Sequence, residues 1–580
     1  MFEIKDDFYL DGKPFKIISG AVHYFRTVPE YWRDRLEKLV NIGCNTVETY
    51  IPWNFQEPKK GEYHWEGMHD VCRFIETAQQ LGLYIIIRPS PYICSEWEFG
   101  GLPAWLLKDP KMRLRCSYQP YLDAVRDYYK VLMPKLAPYQ CDRGGNIILM
   151  QIENEYGYYG NDTAYLDFLR DTMRELDITV PLVTSDGPWS EAVFKSGMTD
   201  GALPTGNFGS AAEWQFGEMK RFIGEKRPLM CMEFWNGWFD AWGGEHHTTE
   251  PEKAAHELDE LLKRGSANFY MFEGGTNFGF MAGRNCGSRT ADVTSYEYDA
   301  PLTEDGRLTE KYALCKEVIA KYTDVKEIPL SSNIKRADFG KIRCCAKTDL
   351  FSTLLKLAEP VVSPYPLSFE ELDCYYGNVL YRIKLRENEL AENARCENAA
   401  DRVQAFRNGR YAFTAFAENI GEQFEFPEKS SGGSVELLVE NIGRENFGTG
   451  LENQRKGILG GAVINGHRYF GFEMFPLPLD EKQIANIDFE SGYTEGVPAF
   501  YKFELDIEEP ADTFLDTDGF GNGAAFVNGF NLGRFWEIGP QRRLYLPAPL
   551  LKKGRNTIVI FESEGKAAET IRLCGEPALS

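Results

Sequence analysis

Over residues 1–325, short runs of apolar, β-branched and aromatic residues alternate with longer stretches in which apolar positions recur at helical spacing. The short runs centre on Ile18, Val47, Ile86, Leu149, Val183, Pro204, Met230 and Phe269. Between them lie amphipathic segments such as "YWRDRLEKLVNIG" and "HDVCRFIETAQQLG", each closing on a glycine where a helix end takes a left-handed residue. Eight strands alternating with helices predict a (β/α)8 TIM barrel, with an open doubly wound sheet as the structural alternative. No G-x-G-x-x-G turn follows the first run, so a dinucleotide fold has little support.

Beyond residue 325 the pattern changes to short alternating strands broken by Gly, Pro and Asn, with few long amphipathic stretches. Residues 326–365 read as a linker with a β segment, 366–482 as a first all-β domain and 483–580 as a second, both β-sandwich or jelly-roll material. The chain is thus expected to be multidomain, α/β followed by all-β. The β domains are read as buttresses of the barrel and as a surface for a homodimer.

Composition narrows the partners. A formal charge of −23 argues against nucleic acid, which calls for basic patches. The opening "MFEIKDDFYLDGKPF" has acids where a signal peptide is basic, and no apolar run approaches the roughly 18 residues of a membrane span, so a cytoplasmic protein is expected. The 13 cysteines are scattered without metal-ligand spacing and read as free thiols. His246-His247 in "GGEHHTTE" lacks a second ligand pair, so neither a metal nor a cofactor is expected.

Barrel chemistry sits at the C-terminal ends of the strands. Here those ends carry His23, Tyr24, Glu48, Tyr50, Tyr92, Glu96, Asn154, Glu155, Asp186, Asn207, Glu233 and Glu273. Carboxylates and aromatics without basic residues suit a sugar, and two acids can break a glycosidic bond. In "IILMQIENEYG", a buried strand runs into Glu153 and Glu155, which two-residue spacing would project to one face, with Glu153 inward and one layer down. They cannot flank a bond from opposite sides. A retaining pair, about 5 to 5.5 Å apart, needs a partner from another strand. Spacing allows Glu233, Glu96 or Glu273.

The strings "HYFRTVPEYWRDRL", "ETYIPWNFQEP", "RPSPYICSEWEFGGLPAWL", "QIENEYG", "CMEFWNGWFDAWGG", "MFEGGTNFGF" and "TSYEYDAPLTEDG" together resemble family 35 glycoside hydrolases, the β-galactosidases. The resemblance implies Glu155 as acid/base, Glu233 as nucleophile and Asn154 on the sugar's 2-hydroxyl. It implies that Tyr50, Ile93, Cys94, Ser95, Glu96 and Tyr298 line the galactose subsite, with Tyr296 close by. Trp235 and Phe280 stand where lysosomal relatives have Tyr and are expected as walls; Trp235 and Trp238 are candidates for the leaving-group platform. Ser95 stands where the family often has Ala. Cys94 has no adjacent His to activate it and reads as packing. Glu153 reads as a buried acid that orients neighbours or raises the pKa of Glu155. The Trp-rich loop at 235–242 resembles bacterial cytoplasmic enzymes that prefer β-1,3-linked galactosyl-N-acetylhexosamine. The last β domain, 483–580, is similar to galactose-binding jelly rolls, so sugar binding there is the alternative to buttressing; the expected partner is a galactose-terminated oligosaccharide or glycoconjugate, and the competing reading is an inactive galactoside-binding protein of the same fold.

Overall fold

A computed structural model describes residues 1–89, 91–285 and 287–579. Each of the eight expected runs is a parallel strand: β1 (Ile18–Val22), β2 (Thr46–Tyr50), β3 (Tyr84–Arg88), β4 (Ile147–Gln151), β5 (Leu182–Asp186), β6 (Ala202–Asn207), β7 (Met230–Trp235) and β8 (Ser266–Glu273). They close in chain order, β8 pairing with β1, which excludes the open sheet. Pro204 has no amide hydrogen to give within β6, and the Thr205 hydroxyl donates to the Thr184 carbonyl at 2.7 Å.

Both faces of these strands are covered, hence their continuous apolar runs. Inside, Ile86, Ile148, Leu149, Val183, Leu203 and Met232 join Phe2 and Phe8 of a small N-terminal sheet that plugs one mouth. Outside, the helices close as their sequences require. Helix Trp32–Ile42 ends at Gly43, whose φ of 108° excludes most side chains, and a Cβ there would meet Ile319 at 2.7 Å. Asp70 caps the helix Val71–Gln80 by accepting from the Arg73 amide at 2.9 Å.

Two all-β units follow. A six-stranded sheet, with Asn378–Lys384 and Ser434–Glu440 at its middle, shares a core with a four-stranded sheet around Asn393–Ala400 and Gly457–Ile464. The C-terminal unit is an eight-stranded sheet. The segment read as a linker with a β segment supplies one of its inner strands: Gly340–Asp349 pairs with Thr570–Cys574 through its first half and with Ala499–Ile507 through its second. Local pattern cannot reveal this, because the partners lie on the far side of the intervening sandwich.

Buried charge ties the first sandwich to the barrel. Arg444 reaches Glu98 at 2.7 Å and Glu370 at 2.6 Å, and all three side chains are fully buried. Among the described residues no two cysteines are paired, and no helix is long and apolar enough to cross a membrane.

Candidate active site

The loop after β3 is bent through three consecutive left-handed residues, Cys94 (φ 57°), Ser95 (58°) and Glu96 (46°). Such conformations are costly for side chains with a Cβ and persist only where surroundings impose them. Here Arg26 binds the Ser95 hydroxyl at 2.8 Å and its carbonyl, the Tyr270 hydroxyl reaches Ser95 Oγ at 3.2 Å, and the Ile93 amide donates to Gly100. The bend delivers Glu96 to the Tyr296 hydroxyl. Burial pushes Glu96 up to about 7, against the Tyr296 hydrogen bond and the Arg26 charge.

A second bend corrects the expectation that Glu153 and Glu155 share a strand face. β4 stops at Gln151, and both glutamates are left-handed, at φ 57° and 47°. Glu153 turns away to Arg115, which donates Nε to Oε1 and Nη2 to Oε2, both at 2.8 Å; Tyr165 and the Asn154 amide also donate to it. Glu153 is therefore a buried anchor for the turn. Glu155 turns the other way and accepts from Asn207 Nδ2 at 3.0 Å. It is raised to about 8, first by burial and then by the charge of Glu233, while Asn207 opposes the rise. The principal repulsion comes from Glu233 rather than Glu153.

Glu233 is held by donors. Arg88 Nη2 lies 2.6 Å and the Tyr50 hydroxyl 2.8 Å from Oε1, and Trp235 Nε1 lies 3.1 Å from Oε2. Arg88 also donates to Asn154 Oδ1 at 2.6 Å, as Gln151 does at 3.1 Å. These donors fix the Asn154 amide and leave its Nδ2 side with one long contact, 3.4 Å to the Ile93 carbonyl. Beneath them Glu48 is fully buried beside Arg88, and burial raises it to about 8.

A cavity of about 360 Å³ opens over these groups. Cys94, Ser95, Glu96, Asn154, Glu155, Glu233, Trp235, Trp238 and Tyr298 line it, so most of the expected site residues meet. Tyr50, Ile93 and Tyr296 stand behind its wall and act through the contacts above. Burial raises the Cys94 thiol well above its usual range, which suits packing and not nucleophilic attack. Three candidates are corrected. Glu273 binds Arg35 and Thr27 away from the cavity, Asp186 accepts from the Gly157 amide, and Phe280 packs against the β domains with Leu380 and Phe406. His246 and His247 both engage Asp240.

Sequence reasoning left out Arg88, although a charge closing the apolar run "YIIIR" was a signal, and did not give Asn207 a role. It also left out Tyr158, Trp189, Tyr270 and Phe447 of the lining. Phe447 belongs to the first sandwich, where Glu445–Phe447 pairs with Arg284–Asn285 of the barrel unit, and nothing local announces it.

Residues 7–322 match the family model described as Glycosyl hydrolases family 35. Residues 366–478 match "Beta-galactosidase, first all-beta domain" and 498–556 match "Beta-galactosidase, galactose-binding domain". The chain is 37% identical to human beta-galactosidase-1-like protein 2 over 99% of this chain and 91% of that protein. It is 38% identical to beta-galactosidase 17 of Arabidopsis thaliana, covering 98% and 88%, and 37% identical to human beta-galactosidase, covering 97% and 87%. With the barrel matched by the family model and whole-length relatives beside it, the chain belongs to family 35 of the glycosyl hydrolases.

Proposed function

We propose that this hydrolase is a retaining exo-β-galactosidase in which Glu233 is the nucleophile and Glu155 the acid/base. One observation carries the reading: a buried acid raised to about 8 and a carboxylate surrounded by donors face the same aromatic-walled cavity. Glu155 gives its proton to the glycosidic oxygen as a Glu233 oxygen bonds to the anomeric carbon and the carbon–oxygen bond to the leaving group breaks. Esterified Glu233 carries no charge, so the largest of the charge repulsions raising Glu155 disappears. Glu155 then suits its second task, taking a proton from the water that displaces Glu233. Asn154 Nδ2 is assigned to the 2-hydroxyl, where its hydrogen bond strengthens in the transition state. Trp189, Trp235, Trp238 and Phe447 form the wall for the leaving group, and we assign a preference for β-1,3-linked galactosyl-N-acetylhexosamine.

Proton NMR at early times tests the mechanism: β-galactose is expected first, and initial α-galactose would overturn the pair. Turnover of β-1,3-, β-1,4- and β-1,6-linked galactosyl-N-acetylglucosamine tests the preference, and equal rates would remove it. Binding of galactosides without any hydrolysis would instead support the inactive reading.

A further inference from the structure

Among the described residues only three tryptophans are exposed, Trp189 (40%), Trp214 (51%) and Trp238 (39%). Single apolar residues at a surface need no explanation, but these three follow one path. Trp189 and Trp238 line both the catalytic cavity and a neighbouring cavity of about 480 Å³. Trp235 stands at the junction, its ring centroid 5.9 Å from that of Trp189 and 5.6 Å from that of Trp238. The second cavity reaches Gln215 and Glu257, and Glu257 is shared with a third, of about 380 Å³, lined by Trp214. The path follows the groove between helices Ala212–Ile223 and Pro251–Arg264.

A second observation gives the chemistry of the occupant. Ser210, Gln215, Asn236, Thr249, Lys253 and Glu257 line the middle cavity beside its tryptophans. A polar lining set between aromatic faces calls for an occupant with donors and acceptors of its own, and an apolar peptide or lipid would leave these groups unmet. Aromatic faces interleaved with acceptors match a chain of sugar rings, which offers apolar faces for stacking and hydroxyls for donation.

We propose that this groove is an extended leaving-group track that holds the second and third sugars of a linear oligosaccharide whose terminal galactose occupies the catalytic cavity. The proposal rests on the glycosidase reading above. The test compares kcat/KM for galactosyl-β-1,3-N-acetylglucosamine with that for a linear tetrasaccharide ending in the same disaccharide, in the wild type, Trp214→Ala and Gln215→Leu. The wild type is expected to favour the tetrasaccharide about tenfold, through KM, and each variant to bring the ratio towards one. A wild-type ratio of one, or a ratio that Trp214→Ala leaves unchanged, would overturn the track. If neither these sugars nor an aryl β-galactoside is cleaved, the glycosidase reading fails instead. Calorimetry of tetrasaccharide binding to the wild type and Trp214→Ala then decides the track, equal affinity overturning it.

Discussion

Arg88 Nη2 lies 2.6 Å from Oε1 of Glu233, and the same nitrogen lies 2.6 Å from Oδ1 of Asn154. One fully buried guanidinium thereby sets the aim of the proposed nucleophile and of the amide assigned to the 2-hydroxyl. Arg88→Met is expected to lower kcat about 100-fold, because a displacement of about 1 Å at the reacting atoms has that effect. Arg88→Lys keeps the charge but loses the planar fork, so it should recover only part of the loss. Steady-state kinetics with a circular-dichroism check of folding measures both; a kcat for Arg88→Met within threefold of wild type would remove the orienting role.

The two glutamates separate by leaving group. Glu155→Ala should lose about 100- to 10,000-fold on a poor leaving group, yet still be glycosylated by a dinitrophenyl galactoside, which needs little protonation. Glu233→Gln should lose activity on every substrate, and more severely. Azide should rescue Glu155→Ala and give β-galactosyl azide, whereas in Glu233→Ala it should attack directly and give the α-azide. Identifying the anomer decides, and the reverse pattern would exchange the roles.

The pH profile follows from the environment of Glu155. Its pKa is raised to about 8 by burial and by Glu233, so the proposed proton donor stays protonated through neutral pH, and kcat/KM should fall as pH rises through that value. The Asn207 hydrogen bond favours the charged form and pulls the pKa down. Asn207→Ala removes it, so the alkaline limb should move to higher pH, by about one unit. A shift to lower pH in the kcat/KM profile would contradict the assignment.

Arg444→Met removes one cation from between two buried carboxylates, leaving Glu98 and Glu370 unpaired. A loss of about 3 to 5 kcal/mol is expected in the transition that unfolds this interface, followed by urea denaturation and limited proteolysis. The strand Glu445–Phe447 begins beside Arg444, so turnover of substrates with sugar leaving groups should fall more than that of a small aryl galactoside. An unchanged midpoint would show that the triad does not stabilise the interface.

The barrel was legible because a parallel strand covered on both faces leaves an unbroken apolar run, from "FKIISGAVH" to "ANFYMFEGG". Glu155 and Glu233 were visible as acids near strand ends, though spacing alone left Glu273 in play until its contacts with Arg35 and Thr27 were seen. The direction of Glu153 was not legible. A strand period assumes an extended backbone, and the left-handed turn there is held by Arg115, far back along the chain. Phe447 and Phe280 failed for the same reason in opposite senses: packing between domains brings one to the cavity and takes the other away from it.

The inner strand Gly340–Asp349 gives the polypeptide a schedule as well as a shape. Its two neighbours, Ala499–Ile507 and Thr570–Cys574, are made by the ribosome only after the whole intervening sandwich. Through that interval of synthesis the strand's backbone donors and acceptors have no native partners, and both of its edges are open templates for other chains. The barrel can complete its ring from sequence already delivered, whereas the first half of this strand stays unpaired until Thr570–Cys574 has been made. Nascent chains stalled before Ala499–Ile507 would therefore expose that edge beside a finished barrel, and those are the species a holdase would meet.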